Sequence, residues 1–421
     1  MSDTTEQNKM FKPRILYVHY GDDWIRGSEI VLLDLLKSAK ENHYEPILWC
    51  NSDALAKQAL NLGVEVIKDN FVCLGYWTLP RWKLGQFFKL LTKAKKLIKD
   101  YKINLVHSNN GAPCQWMIPV CKFTNTPILL HLHARYMYKD RLTLLFHGAD
   151  HIVGVSHSVI DLFKQKEFRN QQVDVIYNGI NPKRVLCSHP YDIRAKVSAK
   201  NTDFVILYIG SLIPRKSVHQ LLYALDKLKE CYSVKLAIIG SGIEEAKLTH
   251  LVSQLNLSDK VKFFSATETV AKYYSSNADC FISVPVEEVF GLTLAEASLA
   301  KLPIITSNVS GIDEIYTDQK SALLISPNNT DELVEAIISL IERPDLRKSL
   351  ADNAQKHIVK EFSLKQQFMA FNLIYQTLML RETKYSVTQL VTLHAKTVFM
   401  AFLNKTYKYF TLKFSWGKHH D

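Results

Sequence analysis

PVEEVFGLTLAEASLAKLPIITSNVSGIDEI, residues 285–315, decides how the rest of the chain reads. The apolar run 280–286 that leads into it predicts a buried strand, and the run after Gly291 predicts a helix. A strand that turns through glycine into a helix N-terminus can hold phosphate, because free backbone N–H groups and the helix dipole face the ligand together. Glu288 and Glu296 lie eight positions apart on either side of this turn. One acid before the turn and one about a helical turn inside it suit hydroxyl-rich groups flanking a diphosphate, which is the shape of a nucleotide sugar.

Working outward, apolar β-branched runs alternate with helical patterns along the chain, the mark of doubly wound α/β domains. Strands are expected near 14–20, 45–50, 65–67, 105–108, 128–131, 151–155 and 174–177, then near 204–209, 235–239, 261–264, 280–284, 303–306 and 322–325. Helices are expected between them, among them 28–41 and 83–101. The stretch 181–201 is polar and strand-poor. The expected division is a first Rossmann-like domain over 1–185, a linker over 186–201, a second domain over 202–365, a crossover helix over 366–380 and a basic, aromatic extension over 381–421. Two such domains would face each other across a cleft beyond the carboxyl ends of both sheets. Glycines stand at both first crossovers, Gly27 and Gly210.

The whole chain allows this. Its 421 residues suffice for two or three domains, and 47% hydrophobic with 22% charged residues is an ordinary globular composition. Seven cysteines without a C-x-x-C pair fit reduced core thiols better than disulfides or zinc. The opening residues are polar, without the apolar segment of a signal peptide, and no apolar run of about 18 residues predicts a membrane-spanning helix. A cytoplasmic protein is expected.

At this point the chain resembles the retaining glycosyltransferases of the GT-B fold, in the family-four group. The E-x-F-G-x-x-x-x-E pattern is met by Glu288, Phe290, Gly291 and Glu296. The pattern P-x-x-x-S/T-x-x-x-G-x-x-E is met by Pro303, Ser307, Gly311 and Glu314, and G-x-L-x-x-x-K by Gly210, Leu212 and Lys216. I-x-N-G is met by Ile176, Asn178 and Gly179, and the glycine pair of the first loop is half met, by Gly27. Any one motif is weak; together and in order, over residues 13 to 380, they are specific to the family though not to a sugar.

The resemblance implies roles. Lys216, with Arg215 beside it, would neutralise the departing diphosphate. Ser211 stands where the family has arginine, so Arg215 is the candidate substitute. Glu296 would accept hydrogen bonds from the ribose hydroxyls, and Glu288 would face the transferred sugar or its phosphate. The N–H groups of Gly291, Leu292 and Thr293, next to Phe290, would line the diphosphate. His133, six residues after Pro127, would reach the sugar or the reacting face, while His131 lies deeper as a core histidine. Gly27 would let the first-domain backbone approach the diphosphate, with Arg26 in place of the second glycine. No D-x-D element and no cluster with metal-ligand spacing occurs, so no metal and no cofactor is expected beyond the donor itself. Retention of configuration by a front-face route is what the family implies. A rival reading is a sugar-nucleotide-binding protein without turnover, which Ser211, Arg26, Lys301 and Ser310 keep open.

The net charge of +11 needs a location. Residues 81–102 carry eight basic side chains against Asp100, a net +7, with Trp82, Phe87, Phe88, Leu90, Leu91, Leu97 and Ile98 among them. That pattern suits an interfacial helix on an anionic membrane surface, or a core-packed helix with a solvated basic face. Residues 381–421 repeat the flavour at net +5. No nucleic-acid motif accompanies either segment. The expected enzyme moves a hexose-type sugar to a glycan or lipid-linked acceptor at the inner face of a membrane, in envelope polysaccharide, lipopolysaccharide or glycolipid assembly.

Overall fold

The computed structural model describes residues 12–75, 82–164, 172–267 and 269–381. The basic stretch 382–421 and Arg81 lie outside them.

The chain folds as two compact units. The first comprises residues 1–155, 159–176 and 368–421, and the second comprises 156–158 and 177–367. The first holds a parallel sheet of β1 (Arg14–His19), β2 (Glu45–Cys50), β3 (Glu65–Lys68), β4 (Leu105–Ser108), β5 (Ile128–Leu132), β6 (His151–Gly154) and β7 (Gln172–Val175), in the order β3-β2-β1-β4-β5-β6-β7. The second holds β8 (Phe204–Ile209), β9 (Val234–Ile239), β10 (Val261–Phe264), β11 (Cys280–Ser283), β12 (Ile304–Ser307) and β13 (Leu323–Ile325), in the order β10-β9-β8-β11-β12-β13. Both sheets reverse their winding once, between β1 and β4 and between β8 and β11. Open α/β sheets bind ligands at the carboxyl ends of the strands beside such a reversal.

Burial explains why the strands read as they do. β4, β5, β6, β8, β11 and β12 are buried along their whole length, as helices on both faces of a parallel sheet require. The edge strands β3 and β7 are half exposed and polar. β7 runs two residues earlier than its apolar run suggests. Its limits come from pairing with β6, which matches His151–Gly154 to Gln172–Val175.

The stretch 181–201 is not bare chain. Asn181 caps a 3-10 turn at Pro182–Arg184, and Asp192 caps a short helix at Ile193–Lys196. Arg194 holds this segment to the second unit through Asp279 at 3.0 Å.

The helix Leu84–Asp100 splits its apolar side chains between two uses. Leu90, Ala94, Leu97 and Ile98 are buried, whereas Leu84 and Phe88 are 51% and 62% exposed, as is Trp82, just before the helix, at 69%. Phe123, also exposed, lies under the Lys95 ammonium at 4.2 Å. Among the described residues, no helix is long and apolar enough to cross a membrane.

Candidate active site

The second sheet reverses where β8 and β11 lie side by side, and the chain leaving each strand forms one wall of a site. Beyond β11 the backbone passes through Glu288 and Phe290 into the helix Leu292–Leu299. Gly291 caps that helix at φ +83°, the left-handed region that glycine enters freely. A Cβ there would also meet Ile312 Cδ1 at 2.8 Å. Gly311, at φ +96°, lets the next loop press on this turn from behind, since a Cβ would lie 2.6 Å from the Val289 carbonyl. The first intrahelical bonds come from the N–H groups of Leu294 and Ala295 to the Gly291 carbonyl. The N–H groups of Gly291, Leu292 and Thr293 therefore have no acceptor within the helix. The Phe290 ring is buried against Tyr177 and Phe362, so only its backbone is available to a ligand.

Beyond β8 the chain runs through Gly210 and Ser211 to a 3-10 turn at Pro214–Lys216. The Tyr208 hydroxyl donates to the Ser211 carbonyl at 3.1 Å. Lys216 and Arg215 stand in this turn and not at a helix start. Ser217 adopts φ +49° and ends the turn before the helix His219–Leu228 begins. The two walls are stitched together. Val286 N–H donates to the Arg215 carbonyl at 2.9 Å, and the Arg215 guanidinium donates to the Glu287 carbonyl at 3.3 Å. Lys216 Nζ sits 2.5 Å from Glu288 Oε2, and Arg215 Nη1 lies 3.6 Å from the same oxygen. Burial pushes the Glu288 carboxyl up, but the ammonium and guanidinium beside it more than offset this, and its pKa falls below the ordinary value. Glu287 is exposed.

Glu296 lies inside the helix, 5% exposed. Arg184 Nε donates to its Oε1 at 3.1 Å and the Tyr274 hydroxyl to its Oε2 at 2.8 Å. A buried carboxylate needs such partners. Neither was legible from the sequence, because they stand 112 and 22 positions away. Glu314 behaves likewise. It accepts from the N–H groups of His157 and Ser158, at 2.8 and 3.0 Å, and from the Tyr177 hydroxyl at 3.1 Å.

The remaining candidates belong to the first unit. Gly27 opens the helix Gly27–Glu41, and the Arg26 N–H before it donates to Glu29 Oε2 at 3.0 Å. The exposed Arg26 guanidinium pairs with Asp22 at 3.5 Å. His133 follows β5, and its Nε2 lies 3.2 Å from Asn109 Oδ1. His131 is fully buried beneath it, at 4.1 Å between ring centroids, and neither of its ring nitrogens has a hydrogen-bond partner among the described residues. Burial drives both imidazoles well below the usual histidine range, so both are neutral at physiological pH. The structure thus gathers Lys216, Arg215, Glu288, Gly291, Leu292, Thr293 and Glu296 with Gly210 and Ser211 in the second unit, and places Gly27 and His133 in the first.

This arrangement has relatives. A family model described as Glycosyltransferase Family 4 matches residues 25–184, and one described as Glycosyl transferases group 1 matches residues 191–357. An uncharacterized glycosyltransferase of Methanocaldococcus jannaschii is 28% identical over 394 residues, covering 88% of this chain and 98% of its own. A second from that organism is 29% identical over half of this chain, and the match spans 54% of its length. A match to N-acetyl-alpha-D-glucosaminyl L-malate synthase of Bacillus anthracis, 23% identical over 54% of this chain, spans 59% of that protein. Among solved structures, a Rickettsia africae glycosyltransferase superposes at TM-score 0.77 with 21% identity, over 88% of this chain and all of its own. Anabaena HepE in complex with UDP and glucose does so at 0.74 with 20% identity, over 87% of this chain and all of its own.

Proposed function

Since the chain belongs to the family-four glycosyltransferases of GT-B fold, we propose that it moves a hexose-type sugar from a nucleoside diphosphate to a hydroxyl of a glycan or lipid-linked acceptor. The observation that carries this reading is the convergence of Lys216, Arg215 and Glu288 beside the amides of Gly291, Leu292 and Thr293, which have no acceptor within their helix. Transfer breaks the bond between the anomeric carbon and the phosphate oxygen, and negative charge gathers on the leaving diphosphate. Amides at a helix N-terminus and two cations are the groups that stabilise it. Glu296, steadied by Arg184 and Tyr274, is placed to accept from ribose hydroxyls. Glu288 then faces the sugar and keeps the Lys216 ammonium in position. In a retaining front-face route the acceptor oxygen bonds to the anomeric carbon as the phosphate leaves, and its proton passes to the leaving phosphate oxygen. The basic residues and the helix dipole would do the work of a metal ion.

Thermal-shift measurements of the full chain against UDP, GDP and ADP test the donor half of the proposal. One nucleotide at about 100 times its dissociation constant should stabilise the fold by about 2.7 kcal/mol, visible as a rise of several degrees. No shift with any of them would remove the reading. A shift without hydrolysis or transfer of the matching sugar nucleotides would leave a binding protein without turnover.

The acceptor side of the proposal rests on the helix Leu84–Asp100. Trp82, Leu84 and Phe88 are exposed beside the lysines of that helix, the combination that seats a protein on an anionic lipid surface. This suits an enzyme of envelope polysaccharide or glycolipid assembly, peripheral on the cytoplasmic face. The chain should float with anionic vesicles at low salt, and Trp82→Ser with Phe88→Ser should weaken that binding roughly tenfold or more. Equal flotation of wild type and double variant would reject this surface.

A further inference from the structure

The carboxyl ends of β1 and β4, where the first sheet reverses, carry a chain of four polar side chains that the transfer chemistry above does not use. His19 ends β1, Asn109 follows β4, Glu29 stands in the first turn of the helix Gly27–Glu41, and His133 follows β5. His19, Glu29 and Asn109 are buried, while His133 is partly exposed.

Hydrogen-bond polarity can be followed along this chain from a fixed point. The Ser28 carbonyl can only accept, so the Asn109 atom 3.2 Å away is its Nδ2. The same amide nitrogen faces His19 Nδ1 at 3.1 Å, and the Asn110 side-chain amide nitrogen approaches that ring atom at 3.5 Å. Two donors facing one ring nitrogen leave it no proton of its own. The His19 proton therefore sits on Nε2, 2.8 Å from Glu29 Oε1, which accepts it. Glu29 accepts with both oxygens at that end, from His19 at Oε1 and from the Arg26 N–H at Oε2. At the other end, orienting Nδ2 toward Ser28 turns Asn109 Oδ1 toward His133. His133 Nε2, 3.2 Å away, must then carry the proton. Its Nδ1 is left with a lone pair and no bonding partner among the described residues.

We infer that Glu29, His19 and Asn109 are positioning residues that lock His133 in its Nε2–H tautomer, so that Nδ1 is presented as an acceptor for a substrate hydroxyl. The role of the hydroxyl rests on the transferase reading; the tautomer does not. In imidazoles the hydrogen bond made by one nitrogen decides what the other can do, and here the chain that makes that decision ends three side chains away, at Glu29. His133 would have no such preference without Asn109, because the ring nitrogens of its neighbour His131 make no hydrogen bond among the described residues.

Long-range 1H–15N correlation on the full chain with 15N-labelled histidine reads the tautomer directly, with His133→Gln used to assign the signals. The expected spectrum shows neutral His133 protonated at Nε2 and bare at Nδ1. Asn109→Ala should remove the bias and mix the tautomers, and should lower kcat roughly ten- to a hundredfold with the donor KM within about twofold. Asn109→Asp, which keeps an oxygen on His133 Nε2, should restore the Nε2–H form. A wild-type proton on Nδ1, or an unchanged His133 signal in a folded Asn109→Ala variant, would overturn the inference. If no sugar nucleotide is turned over, the transferase proposal fails and the spectrum still decides the network.

Discussion

Lys216→Met is expected to lower turnover by about a thousandfold, the largest single loss in this protein. The magnitude follows from removing a charged donor aimed at a leaving group whose charge grows only as the bond breaks; such donors are worth about a hundred- to a thousandfold each, and more when cationic. The loss should fall on kcat, since in the proposed site the nucleoside is gripped elsewhere, by Glu296. A second consequence separates this role from a structural one. Lys216 is also the nearest cation to the buried Glu288 carboxylate, at 2.5 Å. Taking it away leaves burial, the largest influence on that group, opposed chiefly by the half-exposed Arg215 at 3.6 Å. The variant should lose about 2–4 kcal/mol at neutral pH. The sign with pH should also invert. In the wild type Glu288 is held below its unfolded pKa, so its contribution is present above that value and lost as the pH falls through the folded pKa. In the variant the folded pKa rises above the unfolded one, and stability should improve on acidification through a different window, from that raised pKa down to the ordinary carboxylate value. Chemical denaturation on either side of the ordinary carboxylate pKa would show the difference: the wild type loses this contribution with acid below that value, and the variant gains stability with acid above it. Parallel slopes with unchanged kcat would refute both parts.

Glu296→Ala should abolish the nucleotide-dependent thermal shift, weakening donor binding by roughly fifty- to a hundredfold. Two ribose hydroxyls donating to one carboxylate are charge-assisted bonds of about 1.5–3 kcal/mol each before competition from water. Loss of the carboxylate also strands its partners. The Tyr274 hydroxyl is fully buried and would lose its acceptor, at a cost of about 1–3 kcal/mol to folding. Arg184 is partly exposed and can turn to water. Glu296→Gln keeps one oxygen for Tyr274 and should recover much of the folding loss. Nucleotide protection persisting in a folded Glu296→Ala protein would show that the nucleoside is held somewhere else.

How much of this was legible in the sequence depends on distance along the chain. The buried strands announce themselves because a parallel sheet covered on both faces leaves continuous apolar runs, as in β8 and β11. The spacing of Glu288, Gly291 and Glu296 is local, so the acid before the turn and the acid inside the helix could be placed by counting. The pairing of Lys216 with Glu288 spans 72 residues and became visible only when β8 and β11 were neighbours. Arg184 lay in the polar, strand-poor stretch 181–201, with nothing in its surroundings to mark it as the partner of a buried acid. His19, Glu29 and Asn109 were missed for a different reason. Each resembles an ordinary loop or helix-terminal residue by itself, and only the reversal of the first sheet sets the ends of β1 and β4 side by side. The amphipathic helix was legible as amphipathic. Which apolar residues go to the core and which to solvent was set by tertiary packing.

The three bonds onto Glu314 bear on how this polypeptide could be divided. Two of its donors, the amides of His157 and Ser158, come from a three-residue excursion, 156–158, that belongs to the second unit although its neighbours on both sides belong to the first. A fragment severed after residue 176 would retain Tyr177 and forfeit those amides, leaving a carboxylate with a single neutral donor. Exchanging halves with a relative at that seam therefore imports a mismatch unless the tripeptide travels with its glutamate. The inheritable module is a discontinuous one, and recombination that respects only the linear order will break it.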